Sequence, residues 1–176
     1  MNRRQFVLAS SVGITALAGC SGSADDTEQA SSADTETRNE IVEKVRTAGE
    51  DLDQGNRDFG DARSFSNDER WGNAAGSARD AADSFSSAEN EFNTAVSRAE
   101  GLGDVDLTST LEGYQEFCSV AVQAATSFEQ GCEAMIENDR DTAQSHFQQA
   151  KEYGQEMEQM DLTDRAELTE QIQSSS

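Results

Sequence analysis

Apolar residues recur along most of this chain at alternating spacings of four and three, the period of one helix face. The clearest run is Leu107, Leu111, Tyr114, Cys118, Ala121, Ala125, Phe128, Cys132 and Met135. A second is Trp71, Ala75, Ala78, Ala82, Phe85, Glu89, Phe92, Val96 and Ala99, with Glu89 the one polar member. A third is Ile41, Val45, Ala48, Leu52, Gly55, Phe59 and Ala62, and a fourth is Ala143, Phe147, Ala150, Gly154 and Met157. No strand-like alternation of useful length competes with these runs. The pattern predicts an all-α protein.

The breaks between runs carry helix punctuation. Ser66-Asn67-Asp68 offers N-cap side chains between the third and second runs. Gly101-Leu102-Gly103-Asp104 supplies a glycine C-terminus, and Ser109 with Glu112 has the spacing of a capping box. Asn138-Asp139-Arg140-Asp141 turns the chain before the fourth run, with Asp139 or Asp141 as cap. Helices of roughly 22–34 residues would be about 33–51 Å long. Short connections make neighbours antiparallel, so the expected architecture is an up-down-up-down four-helix bundle of long, Ala-rich helices. Residues 163–172 add a candidate short fifth helix with Thr163 as its cap, followed by a Ser-rich tail. The many Ala and Gly positions on the stripes imply closely spaced helices with little internal cavity.

Charge changes the picture next. The 176 residues carry 35 Asp and Glu against 13 Lys and Arg, a formal net charge of -22, with only Lys44 and Lys151 as lysines. A nucleic-acid binder needs a basic face, so that class is excluded. The same balance argues against charge-driven binding to an anionic membrane. Three cysteines are too few for a disulfide-built scaffold.

The first residues, MNRRQFVLASSVGITALAGC, have a charged start and a mildly apolar run of about 13 residues, too short to span a bilayer as a helix. Arg3-Arg4-Gln5-Phe6-Val7 resembles the twin-arginine export signal, with Asn2 and Val7 departing from its usual pattern. Leu17-Ala18-Gly19-Cys20 resembles a lipobox, after which the cysteine becomes the first mature residue and carries lipid. These resemblances imply a cleaved signal at 1–19, with the export machinery as a partner through Arg3, Arg4 and Phe6. They also imply a membrane anchor on Cys20, at the outer face of the cytoplasmic membrane. Stable anchoring then requires at least two acyl chains.

Removing Arg3 and Arg4 leaves 11 bases against 35 acids, a formal charge of -24. Such a balance with few apolar residues is the signature of disorder in dilute buffer. At molar salt the Debye length falls to about 3 Å and surface carboxylates hardly interact. The acidic composition and the signal type together resemble surface lipoproteins of halophilic archaea. Residues 20–37 contain no base and no large apolar side chain. They are expected to be the anchor cysteine and a flexible acidic tether, spanning about 20–25 Å. The bundle is expected over 38–162, with residues 163–176 forming the short helix and tail.

Candidate chemistry is sparse. Di-iron bundles need paired Glu-x-x-His motifs, and the single histidine, His146, has Ala143 three residues before it. No CxxC, HxxxH or CxxCH occurs, which removes the usual zinc and attached-haem signatures. Cys118 and Cys132 lie about 21 Å apart along one helix and cannot bond to each other. If the third and fourth helices pair about Asp139, Cys132 sits level with His146 and Cys118 level with Met160. Such sulfur and imidazole ligands suit a soft metal such as copper, although each level offers only two. The bland alternative is that both thiols are small core residues.

A last pattern, Gly-x11-Ala-x3-Phe-x2-Ala, occurs at Gly76, Ala88, Phe92 and Ala95 and again at Gly131, Ala143, Phe147 and Ala150. It resembles part of a tetratricopeptide repeat, whose helix pairs bind peptides in a concave groove, but the 55-residue offset is wrong for that period. The expectation is therefore a non-enzymatic, cofactor-free, lipid-anchored bundle acting as an interaction or spacer module in the envelope of a halophile. A metal-handling bundle is the first alternative and a peptide-binding helix-pair protein the second.

Overall fold

A computed structural model describes residues 25–174, with side-chain surroundings from residue 32 onward. It contains α1 (Asp25–Asn67), α2 (Trp71–Leu102), α3 (Val105–Ile136), α4 (Arg140–Gln159) and α5 (Arg165–Ser174). No strand occurs among the described residues. The fold is an all-α bundle in which α1 packs on α2, α2 on α3 and α3 on α4.

The turns follow local chemistry. Gly103 ends α2 at φ 70°, a left-handed conformation that glycine adopts without penalty. Asp104 then caps α3, its carboxylate accepting from Leu107 N–H at 3.1 Å. This displaces the expected Ser109–Glu112 capping box, because α3 starts at Val105 and Ser109 lies inside it. Asp139 caps α4 through Thr142 N–H and Thr142 Oγ1, as one of the two expected alternatives. At the first turn, Ser66 and Asn67 complete α1 and Arg70 precedes α2 with no side-chain cap, so no N-cap from Ser66-Asn67-Asp68 forms. Asp164, and not Thr163, caps α5 by accepting from Ala166 N–H at 2.8 Å.

The acidic tether also needs correction. Helix α1 begins at Asp25, so residues 25–37 are helical where a flexible coil was expected. This stretch lacks the Gly and Pro that stop a helix and contains Glu28, Gln29, Ala30, Ala33 and Glu36. Once the packed part of α1 has nucleated, each added residue needs only a backbone bond and no burial. Residues 32–36 are indeed exposed.

The core lies on the expected stripes. Ile41, Ala48, Ala62, Phe92, Ala99, Leu107, Leu111, Cys118, Ala125 and Cys132 are fully buried. The two middle helices bury a second stripe as well: Ala74, Ala81, Ala88 and Ala95 on α2, and Val120, Ala124, Ser127 and Ala134 on α3. Glycine notches seat phenylalanine rings between neighbours. A Cβ on Gly55 would lie 2.5 Å from the Phe85 ring, and one on Gly131 would lie 2.6 Å from the Phe147 ring.

Several of the scarce bases sit at the seams between helices. Lys44–Glu91 (2.8 Å) and Arg98–Glu40 join α1 to α2, and Arg79 joins α2 to Glu129 and Glu133 of α3. Arg165 fixes α5 to α1 through the Gly49 carbonyl (2.8 Å) and Asp53 (2.9 Å). Exposed pairs of this kind contribute little singly, so they select register more than they stabilise.

The fourth side of the bundle closes unevenly. No backbone contact joins α1 to α4; at one end α5 bridges α1 and α3 instead, burying Leu168 and Ile172 completely. The switch from α4 to α5 is held by Leu162 against Gly113 and by Tyr114 Oη donating to the Thr163 carbonyl. At the other end, the space between α1 and α4 stays open.

Candidate functional site

The open end is lined by aromatic rings, one from each of the four long helices. Phe59 of α1 meets Phe128 of α3 edge-on at 5.4 Å and 73°. Phe128 meets Phe147 of α4 at 5.2 Å, and Phe147 meets Trp71 of α2 at 6.2 Å. Such offset and edge geometries suit the ring quadrupoles. Side chains thus span the distance that the α1 and α4 backbones leave.

A groove of about 330 Å³ runs over these rings, lined by Phe59 and Arg63 of α1, Phe128 of α3, and Phe147, Ala150, Lys151 and Gly154 of α4. Gln155 and Glu158 complete its far end. Gly131 lets the Phe147 ring settle against α3, while a Cβ on Gly154 would meet nothing within 4 Å. The glycine at 154 therefore leaves volume that a larger residue would fill.

The two cations on this groove have no partner. The eleven described bases are the thirteen of the chain without Arg3 and Arg4. Six of them form ion pairs: Arg38, Lys44, Arg46, Arg79, Arg98 and Arg165. Arg57 bonds to Gln54, and Arg70 lies over the Phe65 ring at 4.5 Å. Arg63, Arg140 and Lys151 alone are uncommitted, and two of these three line one groove. The sequence signal for it is Phe-x3-base, present as Phe59 to Arg63 and Phe147 to Lys151. An i,i+4 spacing puts ring and cation on one helix face.

The other candidates do not line the groove, although Phe128 and Phe147 pack against the cluster that holds Cys132. Cys118 lies in the main core with Phe92 and Leu111, whereas Cys132 lies in a second cluster with Ala74 and Ala75. His146 is half-buried on α4, with a buried Nδ1 that makes no hydrogen bond, and Met160 ends α4. Among the described residues no group of three or more His, Cys, Asp or Glu comes together to hold a metal. The tetratricopeptide-like pattern is not two equivalent units: Gly76, Ala88, Phe92 and Ala95 all lie on α2, whereas the second copy spans α3 and α4. Arg3, Arg4, Phe6, Leu17, Ala18, Gly19 and Cys20 lie outside the described residues.

Burial pushes both core thiols up to about 12, with Glu89 adding to the effect at Cys118 and Glu129 and Glu133 adding to it at Cys132. A thiolate is the reactive and metal-binding form, so both are inert at neutral pH. In a Cys20→Ser background, neither is expected to react with an aromatic disulfide reagent at pH 8 until urea unfolds the chain. Rapid labelling of the folded protein would contradict their burial. The linkage has a definite sign. Between the ordinary thiol range near 8.5 and about 12, the unfolded chain loses protons that the folded chain keeps, so both thiols reduce stability as pH rises there.

Comparison of the chain with protein families, curated proteins and solved structures finds no match. What the protein does must be argued from its own residues.

Proposed function

We propose that this chain is a non-enzymatic, lipid-anchored surface protein of a salt-adapted envelope, whose bundle presents the groove between α1 and α4 as a binding surface. The observation that carries the binding part is the pair of uncommitted bases, Arg63 and Lys151, beside three half-buried phenylalanines in a strongly acidic chain. Half-buried rings flanked by two unpaired cations are an unusual thing for a face of so acidic a chain to keep. The anchoring part rests on the resemblance of Leu17-Ala18-Gly19-Cys20 to a lipobox and of Arg3-Arg4 to an export signal. No described helix is long and apolar enough to cross a membrane. Attachment through lipid on Cys20 would supply the anchor.

In this reading, α1 is also a spacer. Its segment 25–37 rises about 20 Å before the packed core begins near Ile41. The groove lies toward the other end of α1, at Phe59 and Arg63, and so is held away from the lipid surface.

Cys20→Ser tests the anchor. The variant is expected to be released into the medium or to keep an uncleaved signal, measured by fractionating cells and weighing the purified chain. Full membrane retention with normal processing would sink the lipoprotein reading.

A further inference from the structure

The groove between α1 and α4 has the size, walls and charge of a ligand site. We propose that it binds a small organic anion: a flat aromatic or acyl body lying on Phe59, Phe128 and Phe147, with its carboxylate or sulfonate at the Arg63 end of the groove and Lys151 adding positive charge along the wall. This deepens the reading above, since it names the ligand class of the surface on which that reading rests.

Volume limits the occupant first. About 330 Å³ lies at the small end of ligand sites. It accommodates a body of roughly 15–20 heavy atoms but not the girth of a partner helix, which is about 10 Å across. The walls select next. Three rings in contact at 5.2–5.4 Å offer both faces and edges, which suit a planar or acyl body.

Charge then selects the sign. Arg63 lies one turn beyond Phe59 on α1, and Lys151 lies one turn beyond Phe147 on α4. Because α1 and α4 run in opposite directions, the two bases bracket the aromatic patch from its two ends. Both line the groove, and among the described residues neither is paired with a carboxylate. Glu158 lies seven residues past Lys151, about 10 Å along α4, and directs the anionic head away from that end. Gly154 keeps the floor between them empty.

The test uses the full chain, expressed without lipidation and folded in molar KCl. It is titrated with 1-anilinonaphthalene-8-sulfonate and with the uncharged analogue N-phenyl-1-naphthylamine. Saturable binding of about one sulfonate per chain is expected. Gly154→Leu projects into the open space of the groove from its half-buried floor on α4 and should weaken both dyes at least tenfold, with helicity unchanged by circular dichroism. The double variant Arg63→Glu, Lys151→Glu should weaken the sulfonate about tenfold and leave the uncharged dye within about twofold. Dodecanoate should displace the sulfonate from the wild-type chain.

Dye binding that survives Gly154→Leu would place the dye elsewhere and overturn the proposal. So would an equal response of the two dyes to charge reversal, because the cations would then be bystanders. If a Leu- and Glu-containing amphipathic peptide binds in a Gly154-dependent way while neither dodecanoate nor the sulfonate does, the occupant is a partner helix and the ligand class is wrong. Membrane release by Cys20→Ser is read out independently, so failure here and failure of the anchor are separate results.

Discussion

Phe92→Ala is expected to destabilise the folded chain by about 3–5 kcal/mol, the range for removing a large ring from a packed core. Phe92 is the largest fully buried side chain and sits about two-thirds of the way along α2, the helix sandwiched between α1 and α3. Its ring stacks on Tyr114 of α3 at 5.0 Å and 18°. Tyr114 in turn donates its hydroxyl to the Thr163 carbonyl at the switch from α4 to α5. Removing the ring therefore leaves a cavity and also unsettles the side chain that fixes the start of α5. Against a total stability of 5–15 kcal/mol for an ordinary domain, such a loss is severe. The measurement is the urea midpoint in molar KCl, followed by helicity and by near-ultraviolet tyrosine dichroism. Tyr114→Phe supplies the comparison, because it keeps the ring and loses only the hydrogen bond, at about 0.5–1.5 kcal/mol. A loss below about 1 kcal/mol for Phe92→Ala would mean that the α2 stripe is not the centre of the core.

The position of Phe92 was legible from spacing alone, and so were most members of the four stripes. Trp71 opens the second run and also opens α2. Heptad spacing reports one apolar face per helix, however, and it missed the second buried faces of α2 and α3. Those faces are built mostly from alanine, which is equally at home in a core or in solvent, so composition there carries no signal. The same ambiguity hid the open side. A stripe says that a helix has a buried face but not which neighbour covers it; the backbones of α1 and α4 make no contact, and α5 takes the fourth position at one end only. Residues 25–37 differ from the expected coil for another reason. Lack of apolar side chains argues against burial but not against order, because a helix can extend past the last packed turn. The groove itself was half legible. Phe59, Phe128 and Phe147 were placed as core members, whereas the repeated base four residues after Phe59 and Phe147 went unused. With so few bases in the chain, that repetition is the sequence feature that marks the groove.

Transfer from molar salt to dilute buffer is expected to have the larger effect, unfolding most or all of the bundle. The chain without Arg3 and Arg4 carries a formal charge of -24. On a particle of about 20 Å radius, Coulomb's law with Debye screening gives a self-repulsion that falls by on the order of 10 kcal/mol between 0.1 M and 1 M salt. The unfolded chain spreads the same charges further apart, so it gains less from added salt, and the difference favours the compact state. Even a few kcal/mol of net difference matters beside a stability of 5–15 kcal/mol. The small core offers limited reserve, since many of its buried positions are alanines and a buried alanine contributes far less than a leucine. The ion pairs do not rescue it, because among the described residues they engage only six bases and leave most carboxylates without a cation. The measurement is helicity at 222 nm and the urea midpoint across 0.1, 1 and 3 M KCl. Both should rise with salt, most steeply at the low end, where screening changes fastest. Sucrose separates the causes, since it strengthens apolar burial without screening charge. If sucrose in dilute buffer restores the helices as fully as KCl does, self-repulsion is not what opposes the fold. If helicity and midpoint are the same in dilute buffer and in molar salt, the proposed salt adaptation fails with it, because the acidic surface would then impose no cost that salt is needed to remove.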